Sequence, residues 1–179
     1  MWPAELRVLL ERHPRATWAQ GSSAAARFWL DVHEGFRRQC AALRSATDAY
    51  RSQAITVLAY AALVAPLQRA MVAHLAGHHQ IEDFHYFPLF RAWQPRIAAG
   101  FDALAADHEQ LHVTIDAALD ALGSFLTAAH SGAEHESAQR HAAERYIVSS
   151  ERLYRRLLHH LEDEEDLIIP LLLERSGDL

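Results

Sequence analysis

Histidine interrupts the apolar stripe of each of four long helical patterns, and two of those stripes also carry a carboxylate where a leucine would be expected. That feature constrains the fold more than any other, because an ionisable group buried without a partner costs several kcal/mol. The patterns come from apolar residues recurring at helical spacing; nothing alternates with a period of two over a useful length, so no strand is predicted. A short leading helix over residues 3–12 opens on Pro3, and longer helices are predicted over about 22–46, with Ser22 as cap, 66–93, 95–129 and 136–174. Residues 47–65 read as a loop followed by an apolar helical stretch ending near Pro66, and 130–134 as the clearest loop. The expectation is an all-α protein, an antiparallel up-down four-helix bundle over 22–174 with a short N-terminal extension (1–21) and a tail (175–179).

Facing can be worked out helix by helix, at about 100° per residue. With His108 at zero, Phe101, Leu104, Leu111, Ile115, Leu119, Leu122 and Leu126 fall within about 60°, His112 at about 40°, and Glu109 near 100° on the polar side. With His78 at zero, Leu67, Met71, His74, Ile81, His85 and Leu89 share the face, Glu82 sits at about 40°, and His79 leaves it near 100°. Leu153, Leu157, Leu167 and Leu171 share the face of His160, with Glu164 at about 40° and Glu165 at about 140°, pointing away unless the helix is bulged. Trp29, Leu30, Phe36 and Cys40 share the face of His33, and Glu34 does not. The spacing His78-x3-Glu82-x5-Pro88-Leu89 repeats as His160-x3-Glu164-x5-Pro170-Leu171, which makes the second and fourth long helices equivalent members of the design.

Seven ionisable groups in one small core are tolerable only if something compensates them together, and a bound cation does so by taking imidazole nitrogens and carboxylate oxygens as ligands. The remaining ionisable residues read more plainly. His13, His79, His130, His135, His141 and His159 are assigned to the surface, Cys40 to the core as a small hydrophobe, and the run Glu162 to Asp166 to a solvated face apart from Glu164. Thirteen histidines against one cysteine leave no disulfide framework and fit a reducing, cytoplasmic setting. The net charge of −6 argues against nucleic acid, and the apolar run from Ala54 to Leu67 falls short of the roughly 20 residues a membrane span needs. The N-terminus lacks the basic-then-apolar order of a signal peptide.

The segments from His78 to Pro88, Asp107 to His112 and His160 to Glu165, together with His33 in Trp29-Leu30-Asp31-Val32-His33-Glu34, resemble the hemerythrin-like (HHE cation-binding) domain. The resemblance spans about 22–174. It implies an antiparallel four-helix bundle around a non-haem di-iron centre, with His33, His78, Glu82, His108, His112, His160 and Glu164 as ligands. Oxygen-carrying hemerythrins have an aspartate five residues after the last histidine; Glu165 stands there, and the helical face favours Glu164, as in many HHE domains. Two six-coordinate irons sharing five histidines, two bridging carboxylates and an oxo or hydroxo bridge keep one open position, which suits O₂, peroxide or nitric oxide. Iron is the expected metal, with manganese or zinc less so. His74, His85 and Tyr86 are candidates for supplying protons beside the centre. The implied role is binding a small ligand for sensing, storage or detoxification rather than dedicated enzyme catalysis.

Three other readings compete. His108-Glu109-x-x-His112 is a literal zinc-protease signature, although it explains none of the other buried ligands. Glu82-x-x-His85 and Glu109-x-x-His112 match the ferritin-type di-iron string, against which stands the outward facing of Glu109 and Glu34. The third is a metal-free structural bundle. The leading segment, with Trp2, Leu6, Leu9 and Trp18, is expected to cap the bundle.

Overall fold

The computed structural model describes residues 2–21, 23–131 and 135–175; Ser22, most of the loop expected at 130–134 and the tail beyond Arg175 lie outside them. The chain is all-helical, with no strand among the described residues. Its elements are α1 (Val8–Arg12), α2 (Ala24–Arg51), α3 (Val57–Ile81), a π-helical turn (Glu82–Tyr86), α4 (Phe87–Trp93), α5 (Ala98–Ala129) and α6 (Glu136–Glu174), with 3₁₀ segments at Ala4–Leu6, Arg15–Gln20 and Pro95–Ile97.

The boundaries have local causes. Ser23 Oγ accepts the Ala26 amide and caps α2. This helix runs past the end expected near residue 46, to Arg51, and stops where Gln53 adopts the left-handed conformation (φ 60°). Thr56 Oγ1 then accepts the Ala59 amide and starts α3, so the expected loop over 47–65 shrinks to a tight turn and Pro66 lies inside a continuous helix. The predicted helix over 66–93 is interrupted by the π turn. There Phe87 N–H bonds back to Glu82 O, and Pro88, which has no N–H to offer the carbonyl four residues earlier, follows at once. Pro170, its counterpart in the repeated spacing, sits inside an uninterrupted α6.

Two compact units divide the chain, and each long helix contributes to both. The first comprises Met1–Gly35, His78–Glu109 and Leu158–Leu179. Its apolar core joins Trp29, Phe87, Phe90, Phe101 and Leu167 to Leu6, Leu9 and Trp18 of the N-terminal extension. A Cβ at Gly100 would fall 2.6 Å from Leu167 Cδ1, so a larger residue there would require the Leu167 side chain to shift. The extension is also pinned by polar contacts: the Trp2 indole donates to Asp163 O (2.6 Å), Arg15 to Asp166 and to Glu162 O, and Arg12 to Glu174. It packs as the cap that the sequence led one to expect.

The second unit comprises Phe36–Gly77 and Gln110–Leu157. Its core includes Tyr60, Leu75, Leu111, Phe125, Tyr146 and Leu153, with Gln68 buried and accepting from the Tyr154 (2.7 Å) and Tyr146 (3.4 Å) hydroxyls. Cys40 is buried beside Met71, and burial pushes its thiol up to about 11, which makes it inert packing. Taken through the π turn, the helical stretch Val57–Trp93 is long and apolar enough to cross a membrane by length and composition, with mean hydropathy 1.3 in its most apolar window. The run Ala54 to Leu67 considered above is shorter because it ends at Gln68.

Candidate metal centre

Everything polar and buried at this centre lies in the first unit. From Ile97 just before α5, buried positions recur at Phe101, Leu104, His108, Leu111, Ile115, Ala118, Leu122, Phe125 and Ala129, a 3.5-residue seam with one histidine in it, with Gly100 and Thr114 buried beside it. In α3 and the π turn the inward set is Met71, Leu75, His79, Glu82 and then Phe87; the five-residue step is the extra residue of the π turn. The last turns of α6 are covered nearly all round, from His160 through Glu164, Glu165 and Leu172. His33 of α2 has no exposed surface.

These side chains form two groups whose donor atoms lie within 4.8 Å of one another: His79, His108 and His160, and His33, His78, Glu82 and Glu164. The two carboxylates connect them. Glu82 Oε1 is 2.9 Å from His78 Nε2 and its Oε2 is 3.6 Å from His108 Nε2. Glu164 Oε1 is 3.4 Å from His33 Nε2 and its Oε2 is 3.2 Å from His160 Nε2. Each carboxylate thus turns one oxygen to each group.

The protons identify what faces the middle. His33 Nδ1 donates to Glu165 Oε1 at 2.9 Å, and His108 Nδ1 donates to Asp83 Oδ1 at 2.9 Å. Both Nε2 atoms therefore present lone pairs inward in the neutral imidazole. His108 Nε2 and His160 Nε2 approach to 3.1 Å, while His33 Nε2, both Glu82 oxygens and Glu164 Oε2 are buried without a hydrogen bond. Such a convergence in a dry interior is costly unless a proton or a cation lies between the groups; in the metal-free chain His33 takes a proton beside Glu164, and the same donor set fits a metal pair. Imidazole and carboxylate without thiolate suit iron, manganese or zinc.

Electrostatics bear the same mark. Burial, with the Glu164 carboxylate adding to it, holds the Glu82 carboxyl well above its usual range. Burial alone would raise Glu164 too, but His33 and His160 outweigh it and hold Glu164 well below that range. Burial opposes protonation of His33, yet the Glu164 and Glu165 carboxylates lift it to about 9. Burial lowers His78 to about 4 and also lowers His79 and His108, each reinforced by neighbouring imidazoles.

Six of the seven expected ligands, His33, His78, Glu82, His108, His160 and Glu164, come together. His112 does not: it is exposed. A 3.5-residue seam is narrower than the 60° window used to judge its facing. His79 takes the seventh place, 1% exposed and stacked 3.9 Å from the His108 ring, where the sequence had put it on the surface. That error came from centring the face on Leu67, Ile81 and His85, all of which are exposed; the true centre is rotated toward Leu75 and His79. Glu165 is likewise buried rather than pointing away, and it orients His33. Asp83 and Trp29 were missed as partners of ligands, and their one signal in the sequence was adjacency to Glu82 and one-turn spacing from His33.

His74 is exposed on the Phe36 ring in the second unit, and His85 is exposed against Tyr86, so neither faces the centre. Tyr86 is half-buried with its ring 5.0 Å from Trp29. Exposure of Glu109, His112 and His85 removes the residues that both the zinc-protease and the ferritin-type strings require.

An all-helical chain whose interior gathers five imidazoles and two carboxylates is a cation-binding protein by its chemistry. Residues 24–172 match the model of the hemerythrin HHE cation-binding domain, and the chain belongs to that family. No curated protein and no solved structure matched the chain.

Proposed function

We propose that the chain is a non-haem di-iron protein that binds O₂ or a related small ligand, peroxide or nitric oxide, for sensing, storage or detoxification. One observation carries the reading: Glu82 and Glu164 each divide their oxygens between a two-imidazole group (His33, His78) and a three-imidazole group (His79, His108, His160). Such a donor set serves two cations joined by two carboxylates. We read the long helices α2, α3, α5 and α6 as the antiparallel up-down bundle of the family, since each brings at least one of these ligands.

A reducible iron pair held there supplies exchangeable binding of small oxygen or nitrogen ligands and electron storage. The chain's own residues do the rest. Glu165 and Asp83 fix the tautomers of His33 and His108 by accepting their Nδ1 protons. The group with two imidazoles, His33 and His78, offers fewer protein donors, and there a bound cation would have more room for a small exogenous ligand. Trp29, Phe87 and Phe90 wall this part of the core with apolar surface and limit water access.

Metal analysis with an optical spectrum tests the proposal. Purified protein is expected to hold two irons per chain, to absorb in the near ultraviolet when oxidised, and to change spectrum with O₂ after reduction. Zinc alone, or no metal and no such absorption, would reject it.

A further inference from the structure

The buried indole of Trp29 touches the centre at several points. Its Nε1 donates to Glu164 Oε1 at 2.7 Å, and its ring lies 6.3 Å from the rings of both His33 and His78. It therefore contacts three of the four members of the two-imidazole group, Glu164, His33 and His78. The oxygen it engages is the one that faces His33; the other oxygen of Glu164 faces His160. A hydrogen bond to a ligating carboxylate fixes which lone pair is offered to the metal, and losing such a partner commonly costs 10–100-fold in affinity.

Resting on the di-metal reading above, we infer that the two cation positions load in order, the three-imidazole position first, and that Trp29 is the positioning residue on which the second cation depends. Three imidazoles and two carboxylate oxygens hold the first ion. The second has two imidazoles, and one of its two carboxylate oxygens is aimed by the indole. The second ion is therefore the one that a cell or a chelator removes first.

The test is an anaerobic titration of the full-length metal-free chain with Co²⁺, read by equilibrium dialysis and by the visible ligand-field bands. The expected result for the unaltered chain is two resolved steps. Trp29→Phe should weaken the looser step by about 10–100-fold and leave the tighter one in place. Phe90→Leu thins the packing around the same ring (5.8 Å away) without touching the carboxylate, and should move neither step more than a few-fold. Two equal sites in the unaltered chain would overturn the inference and leave the di-metal reading standing, as would equal weakening of both steps by Trp29→Phe, or Phe90→Leu matching its effect. Failure to bind a second ion at any concentration would instead overturn the di-metal reading.

Discussion

Replacing Glu82 with leucine should change the sign of its effect on stability according to whether metal is present. In the metal-free protein the carboxyl is 1% exposed, neither oxygen makes a hydrogen bond, and burial together with Glu164 already resists its ionisation. Each unsatisfied buried polar atom costs about 1–3 kcal/mol, and leucine fills a similar volume with apolar surface. Allowing for incomplete repacking, Glu82→Leu is expected to stabilise the metal-free chain by about 2–4 kcal/mol. At roughly 2–4 °C per kcal/mol for a chain of this size, that is a rise of about 4–16 °C in Tm. In the loaded protein the same change removes the carboxylate that links the two groups. A cation present at a thousand times its Kd contributes about 4 kcal/mol, and the variant loses most of that. Thermal melts of both proteins, after chelation and again with saturating Fe²⁺ under argon, read the two signs directly. A metal-free variant destabilised by more than about 1 kcal/mol, with unchanged metal content, would show that Glu82 is an ordinary structural carboxyl and refute the reasoning.

Exchanging attention between two histidines gives a second test. His79→Phe should lower the bound metal per chain, whereas the exposed His112→Phe should leave it intact and shift stability by less than about 0.5 kcal/mol; metal analysis showing the reverse would restore the assignment read from the sequence. Glu165→Leu removes the acceptor that fixes the His33 Nδ1 proton and should weaken metal binding about 10–100-fold in a chelator competition. The metal-free protein should also lose stability as pH rises from about 6.5 to 9. His33 is lifted from 6.5 to about 9, so its pairing is complete below pH 6.5 and is gone once pH passes about 9, a loss on the order of 3 kcal/mol. Glu82, held above its usual range, contributes with the same sign from about pH 4.5 upward. A Tm that is flat between pH 6.5 and 9 would contradict this.

The helical class, the ends of α6 and six of the seven ligands were readable from residue spacing alone, because a heptad-like apolar stripe with a histidine in it has few alternative meanings. The failures have separate causes. Facing was judged from apolar residues, and α3 carries apolar side chains on its outer face too: Leu67 is 38% exposed and Ile81 55%. The estimated stripe was thereby rotated far enough to exclude His79. On α5 the outer face carries fewer apolar side chains, Val113 among them, and His108 falls in the seam while His112 lies beside it. Glu165 was lost for a third reason: the end of α6 is enclosed on nearly every side, partly by Trp2, Trp18 and Arg15, and no periodicity within α6 records what other segments lay over it. The turn at Ser52–Thr56 was hidden by its composition, which lacks glycine; Gln53 supplies the left-handed residue instead.

The π turn at Glu82–Tyr86 means that one rod carries two phases. Upstream of it, successive inward positions deliver His79 and Glu82; downstream, they deliver Phe87 and Phe90. Without the additional residue the downstream stretch would be screwed round by about 100°, swinging those phenyl rings away from Trp29 and Phe101. Ligation and aromatic packing are thus indexed separately along a single axis, and substitutions can accumulate at either end without putting the other out of step. A chain shortened by one residue in this turn would have to choose which of the two to keep.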